Sequence, residues 1–360
     1  MSLLDRYILK QLSLTLLFSL MALTMIFLIV NYLETLDNFL DKKVTYDIVI
    51  LYYIYYMPEI LKLLTPIALL VSTLFTIGRL STQNEITAIK TGGISLYRIM
   101  MPLAAFSILI SFGQLYFNGW IVPKSLHSKF QIEEKYLYKR ISGGPIFNLY
   151  FRDNPTTNVI IQYYDAESKS GNQTTIEKYS SEKTPRLLER TEARRIVWDS
   201  TNSSWNLFGG LIRDFSGGAI NMRPFDSLKA DISISNDRLA QLRRSPEEMN
   251  FSELKDYIDL LKQGGKDVRK QMIEYYGNFA FPFANFIVIL FGVPFASVRR
   301  KGGLAIQMGA ALVISFLYLV FTKISQTIGF AADINPVLAG WGANILFFFL
   351  GLVTIWKTRT

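Results

Sequence analysis

The sequence predicts an α-helical membrane protein with six transmembrane helices, arranged three plus three around an inserted all-β domain. Half of the 360 residues are hydrophobic, and the mean hydropathy is +0.23. Five uncharged runs match the roughly 20 apolar residues that cross a bilayer. A polar central segment separates these runs into two groups. A soluble domain would instead show short apolar stripes with the period of a helix or strand.

The five runs are Gln11–Leu33, Ile99–Val122, Tyr275–Val298, Leu304–Thr322 and Ile334–Trp356. A sixth run, Leu63–Gly78, is short, but the aromatic stretch Ile48–Met57 extends it backwards past Glu59 and Lys62. We interpret the first run as a retained span. It is too long for the apolar region of a typical signal peptide and lacks a small-residue cleavage site.

The net charge is +9, and most of the Lys and Arg residues near the span ends fall on one side of the predicted spans. Lys and Arg near span ends stay on the cytoplasmic side. With the N-terminus inside, the cytoplasmic cations are Arg6, Lys10, Arg79, Lys90, Arg98, Arg299, Arg300, Lys301, Lys357 and Arg359. We therefore expect both termini inside, the central segment outside and no nucleic acid partner.

The central segment, 123–273, has the texture of a β domain with flanking helical connections. Its strand-length stretches are rich in β-branched and aromatic residues: Asn158–Tyr164, Arg195–Trp198 and Trp205–Phe208. Turn signals at 199–204, 209–210 and 217–218 separate or follow them. We predict a β-sandwich or jelly roll, followed by a helix over Ser245–Gln263 that begins with Ser-Pro-Glu-Glu. The spans then occupy 1–122 and 274–360.

The second inner connection, at about 79–93, is predicted to form a short amphipathic helix. Leu80, Ile86, Ile89 and Ile94 give it an apolar side, which could dock into a groove on a cytoplasmic partner. The glycine pair at 92–93 would be the pivot into the next span. The alternative is an interfacial loop without a partner.

Ionisable residues within or near the spans are functional candidates. Lys62 and Lys323 could contact lipid headgroups, whereas Glu59 and Glu274 would repel a phosphate. The alternative for each residue is a side chain that reaches from a span end to the interface.

The sequence offers no catalytic residues, metal site or cofactor site. It has no cysteine, and its one histidine, His127, lies between Lys124 and Lys129 and is interpreted as solvated or interfacial. Gly264-Gly265-Lys266 lacks the first glycine of a phosphate-binding loop. If ATP drives transport, another chain must bind the nucleotide.

Three stretches resemble the LptF/LptG (YjgP/YjgQ) permeases of lipopolysaccharide export: Leu4–Ile8, Leu64–Leu70 and Arg79–Gly93. The order of three spans, a large insert and three spans is also similar. The opening and the short C-terminus favour LptG, while Glu85-Ile-Thr also suits LptF.

The resemblance implies a permease subunit of an ABC-type transporter in the bacterial inner membrane, with the insert in the periplasm as a β-jellyroll. It would extract lipopolysaccharide and pass it to a periplasmic bridge. The implied partners are the paralogous permease (LptF if this is LptG), a dimer of the ATPase LptB that binds ATP and Mg, and the bridge proteins LptC and LptA.

The resemblance also implies roles for particular residues. The segment 79–93 would be the coupling helix, with Glu85 as the charged contact and Arg79, Lys90, Gly92 and Gly93 as further candidates. Spans one and five would be lateral gates, with Phe316 and Val320 on span five. Where some LptG members have a lipid-contacting lysine, this chain has Asn31, so the lipid-binding lysine candidates are Lys42, Lys43, Lys62 and Lys323.

Two other functions fit the composition. A non-transporting scaffold or assembly factor for the envelope would have a tightly packed bundle and no ATPase partner. A membrane-embedded hydrolase or transferase is disfavoured because catalytic side chains are not clustered.

Overall fold

The computed structural model describes residues 2–137, 145–182, 184–217, 220–241, 244–263, 265–297 and 303–357. The chain divides into two compact units, Met1–Leu137 with Arg269–Thr360, and Tyr138–Val268. Several residues used in the sequence analysis lie outside the described part: Gly218, Gly264, Arg299, Arg300, Lys301 and Arg359.

Three long helical stretches precede the insert. The first is α1, Leu3–Asp41, and the second is α2, Tyr46–Thr82. A short helix, α3, Glu85–Thr91, connects the second stretch to the third. The third span comprises α4, Leu96–Tyr116, a π-helical turn, Phe117–Ile121, α5, Val122–Ile132, and a second π-helical turn, Glu133–Leu137. Pro123 cannot donate a backbone hydrogen bond to Gly119, so the helix widens into the first π turn next to it.

These three stretches are longer than the apolar runs that predicted them. Their 39, 37 and 42 residues correspond to about 55–63 Å of helix, whereas the hydrocarbon core is about 30 Å thick. Phe39, Tyr52, Ile132 and Leu137 pack together in these extensions. Apolar runs mark only the part of a helix in lipid, which is why the third span reaches Leu137, beyond the predicted end at 122.

The insert contains one antiparallel sheet in its described part. The strands are β1 Ile146–Asn154, β2 Thr157–Asp165, β3 Ser170–Tyr179, β4 Leu187–Asp199, β5 Ser204–Asp214 and β6 Asn221–Ala230, paired in sequence order. The predicted all-β insert is confirmed. Its strand order is that of a meander, whereas a sandwich or jelly roll distributes strands between two sheets. In the described part, each strand pairs with the strand that follows it in the sequence, so all six lie in one sheet.

The hairpin predicted at 199–204 joins β4 to β5. Asp199 pairs with Ser204 across the hairpin, and the Asp199 carboxylate accepts backbone hydrogen bonds from Thr201 and Asn202. The side-chain amide of Asn202, followed by these backbone amides, holds the pKa of the Asp199 carboxyl below its usual value. The turn is therefore stabilised locally by its own side chains.

The core of the insert lies against one face of the sheet. Trp205 and Tyr164 are fully buried, and the Trp205 indole donates a 2.7 Å hydrogen bond to the backbone carbonyl of Ile234. The Tyr164 hydroxyl bonds the Asn236 side chain at the start of α6, Asn236–Gln241. The segment after β6 thus covers the sheet.

The predicted start of the helix after the sheet was wrong. Pro246–Glu248 forms a separate 3-10 turn, which ends where Met249 adopts an extended conformation. α7 begins at Phe251 and ends at Gln263. The Asn250 side chain accepts the backbone N–H of Glu253 at 2.9 Å. This second cap, five residues after Ser245, starts the true helix.

The last three spans begin with a broken helix. The fourth comprises α8, Arg269–Ala280, a 3-10 turn, Phe281–Phe283, and α9, Ala284–Ser297; α10 covers Gly303–Ala331 and α11 covers Pro336–Lys357. At the break, the Asn344 side chain donates to the carbonyl of Ala280 (2.5 Å) and accepts from the Tyr318 hydroxyl (2.6 Å). A carbonyl at the break is thereby satisfied inside the bundle, as the membrane requires.

α2 and the fourth span form the centre of the transmembrane unit. Two-thirds (67%) of the most apolar window of each is buried, whereas the windows of α1 and α10 are 6% and 17% buried. Gly292 of α9 permits close packing, because a Cβ there would lie 2.8 Å from a methyl group of Thr73. Six helices in the described part are long and apolar enough to span a membrane, which confirms the predicted number.

Candidate coupling and lipid-facing sites

The candidate coupling segment is a short helix between two turns. Arg79 belongs to the last turn of α2, and Asn84 (φ +60°) reverses the chain before α3. Gly93 follows α3 with φ +83°, a conformation that strongly favours glycine. The helix expected at about 79–93 is therefore shorter, because the left-handed Asn84 separates Arg79 from Glu85.

The apolar side of α3 faces the transmembrane unit. Ile86 is 2% exposed and packs in the main core cluster, with Ile89 and Ile94 against it. Thr87, Ala88 and Thr91 are exposed, and Lys90 is half-buried. The prediction that this apolar side docks on a partner was wrong, because it is already covered by the chain's own core. The exposed side of α3, which is small and polar, is the surface that a partner could contact.

Glu85 has a neighbour that sequence reasoning missed. The Tyr7 hydroxyl donates a 3.3 Å hydrogen bond to one carboxylate oxygen of Glu85. The two residues are 78 positions apart, so no spacing pattern could link them. The bond orients the Glu85 side chain at the start of α3.

Most lipid-binding candidates lie on uncovered surfaces. Lys42 and Lys43 are exposed in the turn between α1 and α2, and Lys323 is exposed on α10. Phe316 is 65% exposed, and Val320 is half-buried. The candidate walls on spans one and five are therefore open, which is the condition for a lipid contact.

Lys62 has a different environment. Its ammonium donates a 3.1 Å hydrogen bond to the Asn278 side chain. Its carbonyl accepts from the Gln114 amide at 2.8 Å, and Gln114 in turn accepts from the buried Asn285. These bonds join α2, α4, α8 and α9. Sequence reasoning missed the network because isolated amides in apolar runs do not reveal partners so distant along the chain.

A second polar cluster lies where the N-terminal part of α2 packs against α5 and the second π-helical turn. The Lys129 ammonium is 3.8 Å from the Glu133 carboxylate, 3.6 Å from that of Glu59 and 3.9 Å from the centre of the Tyr56 ring. Tyr52 donates a 3.0 Å hydrogen bond to Glu133. Both Lys129 and Glu133 are buried. Glu133 is buried because these segments pack against each other.

Comparison with known proteins shows the family to which the chain belongs. The family model for lipopolysaccharide export system permease LptF/LptG matches residues 6–357, which is nearly the whole chain and both groups of spans. This chain belongs to the LptF/LptG family. The family resemblance drawn from the three short motifs is thereby confirmed.

Two curated relatives bear on the choice between LptF and LptG. The lipopolysaccharide export system permease proteins LptG of Haemophilus influenzae and Escherichia coli K12 are 21% and 20% identical to it. Each alignment covers 98% of this chain and 97% of the relative. These matches support the preference for LptG, and the chain is a multi-pass membrane permease of this family.

Proposed function

We propose that this chain is the LptG-type permease subunit of an ABC-type transporter that extracts lipopolysaccharide from the bacterial inner membrane. The observation that carries the proposal is the exposure of the apolar helices α1 and α10. The chain's membership of this family gives that exposure its meaning. Apolar faces suit acyl chains, and Lys42, Lys43 and Lys323 supply cations for phosphorylated sugars. A paralogous permease, LptF, would cover the remaining surface.

In this proposal ATP and Mg bind to a dimer of the ATPase LptB, and α3 contacts that dimer. Glu85 supplies the charged contact, Arg79 and Lys90 flank it, and Gly92 with Gly93 forms the link to α4. The insert, 123–273, passes the lipid to LptC and LptA. Support for the last step comes from the sheet, since β1 and β6 are edge strands in the described part, and edge strands can pair with another chain.

The proposal places both termini in the cytoplasm and the insert in the periplasm. The natural chain has no cysteine, so single cysteines at Lys90 and Asn172 can be labelled with an impermeant maleimide in spheroplasts. We expect labelling at position 172 only, because cations mark the inner side. Labelling at position 90 before the membrane is opened would contradict the orientation.

Lipid capture tests the transport function. Photocrosslinkers at Phe316 and Val320 are expected to capture lipopolysaccharide, identified by mass spectrometry of the purified full chain. Lys323→Glu should lower capture severalfold, while Lys323→Arg should retain most of it, because arginine keeps the positive charge. The scaffold alternative predicts no captured lipopolysaccharide and equal yields for both variants at equal expression.

A further inference from the structure

The first turn of α1 fixes the position of one buried carboxylate. Ser2 caps the helix, and its hydroxyl accepts the backbone N–H of Asp5 at 3.2 Å. The Asp5 carboxylate accepts the backbone N–H of Ser2 at 2.8 Å. This reciprocal capping box is stable in itself, and Asp5 is only 6% exposed. These local bonds therefore hold the Asp5 carboxylate in place independently of any contact with another helix.

Asp5 also binds the first turn of α4. The two terminal nitrogens of Arg98 donate to the two Asp5 oxygens at 2.9 Å and 3.1 Å. A bidentate guanidinium–carboxylate pair is directional and stronger than a single neutral hydrogen bond. Arg98 lies in the first turn of α4, the helix that follows α3 and the glycine pair, so this ion pair attaches α1 to the C-terminal side of the coupling segment.

The N-terminal side of the same segment is also attached to α1. Tyr7 bonds Glu85, the first residue of α3. Beside these two polar contacts, Ile8 and Leu12 of α1 lie in the same buried cluster as Ile86. The first turns of α1 thus bond the start of α3 through Tyr7 and the first turn of α4 through Asp5, and they share a core with the apolar side of α3.

We propose that Asp5, Tyr7 and Arg98 form a clasp that makes the inner end of span one and α3 move as one body. The proposal rests on the proposed function, since it takes α3 as the ATPase contact. Ile8 and Leu12 are buried beside the clasp, whereas only 6% of the most apolar window of α1 is buried. The first turns of α1 are therefore fixed to their neighbours, and the rest of the helix has a largely uncovered surface. The clasp then passes a displacement of α3 to span one. Asp5, Tyr7 and Arg98 are positioning residues.

The geometric part can be measured without any partner. Spin labels on cysteines at the exposed positions Ser13 of α1 and Thr87 of α3 report one distance distribution in the full chain. We expect a narrow distribution that broadens with Asp5→Asn and with Arg98→Gln. Asn keeps an oxygen for the cap, so α1 still begins normally. The double variant should be no broader than either single variant, because each removes the same interaction.

The functional part uses the same variants in the reconstituted complex with the ATPase. Lipid released per ATP hydrolysed should fall roughly three- to tenfold, while ATPase recovery stays normal. Arg98→Lys should be intermediate, since lysine keeps the charge without the bidentate geometry. Lys10→Gln, which changes an exposed residue one turn further along α1, is the matched control and should alter neither measurement.

Two results would overturn the clasp. One is a distance distribution that Asp5→Asn and Arg98→Gln leave unchanged. The other is a broadened distribution together with unchanged lipid release per ATP. If the unaltered chain recovers no ATPase, the proposed function fails, and the spin-label measurement still decides whether α1 holds α3.

Discussion

Glu85→Lys is expected to prevent productive association with the ATPase while the chain still inserts into the membrane. Glu85 lies at the start of α3 and is half-buried. Leaving a charge unpaired in a protein interface costs about 2–5 kcal/mol, and reversing it adds repulsion. We therefore expect recovery of the ATPase in a pull-down from membranes to fall by at least about 30-fold.

Two variants separate the causes of that loss. Glu85→Gln removes the charge without reversing it and should give a smaller defect. Tyr7→Phe removes only the 3.3 Å hydrogen bond to Glu85 and should leave most of the ATPase bound. Unchanged recovery with Glu85→Lys, together with unchanged lipid-stimulated hydrolysis, would contradict the assignment of α3 as the coupling helix.

Gly210→Ala is expected to destabilise the insert strongly while the spans stay folded. Gly210 lies in β5, paired with Ala193 of β4 and Phe225 of β6. A Cβ at this position would overlap the backbone carbonyl of Glu192 and the ring of Phe225. The ring can rotate, but the carbonyl belongs to the sheet. We expect a loss of about 3 kcal/mol or more in the stability of the insert.

Proteolysis of the full chain in detergent measures this loss. Cleavage within 145–268 should occur at lower denaturant concentration in Gly210→Ala, while fragments containing the spans persist. Gly217→Ala is the matched control, because a Cβ at Gly217 meets nothing within 4 Å. Equal resistance of Gly210→Ala and the unaltered chain would show that β4 and β5 separate locally to admit the methyl group.

The segment between α2 and α4 shows where sequence reasoning succeeded and where it stopped. The apolar residues of 79–93 and its glycine pair indicated a short helix followed by a turn. The apolar side that was expected to meet a partner instead packs into the core of the transmembrane unit. Tyr7 lies 78 positions before its partner Glu85, and Asp5 lies 93 positions before its partner Arg98 in α4. Their side chains meet α3 and α4 only because α1 packs beside both.

The sequence by itself determined the number of spans, the all-β insert and the short amphipathic segment between α2 and α4. These depend on local composition, since about 20 apolar residues cross a bilayer whatever lies beside them, and strand patterns repeat within a few residues. Tertiary structure decided which charges are paired. Lys62 with Asn278, Lys129 with Glu59, and Arg98 with Asp5 join residues 216, 70 and 93 positions apart. Such contacts depend on which helices are neighbours and how they are rotated. The same is true of the meander order of the strands, because local alternation sets a strand but not the strand beside it.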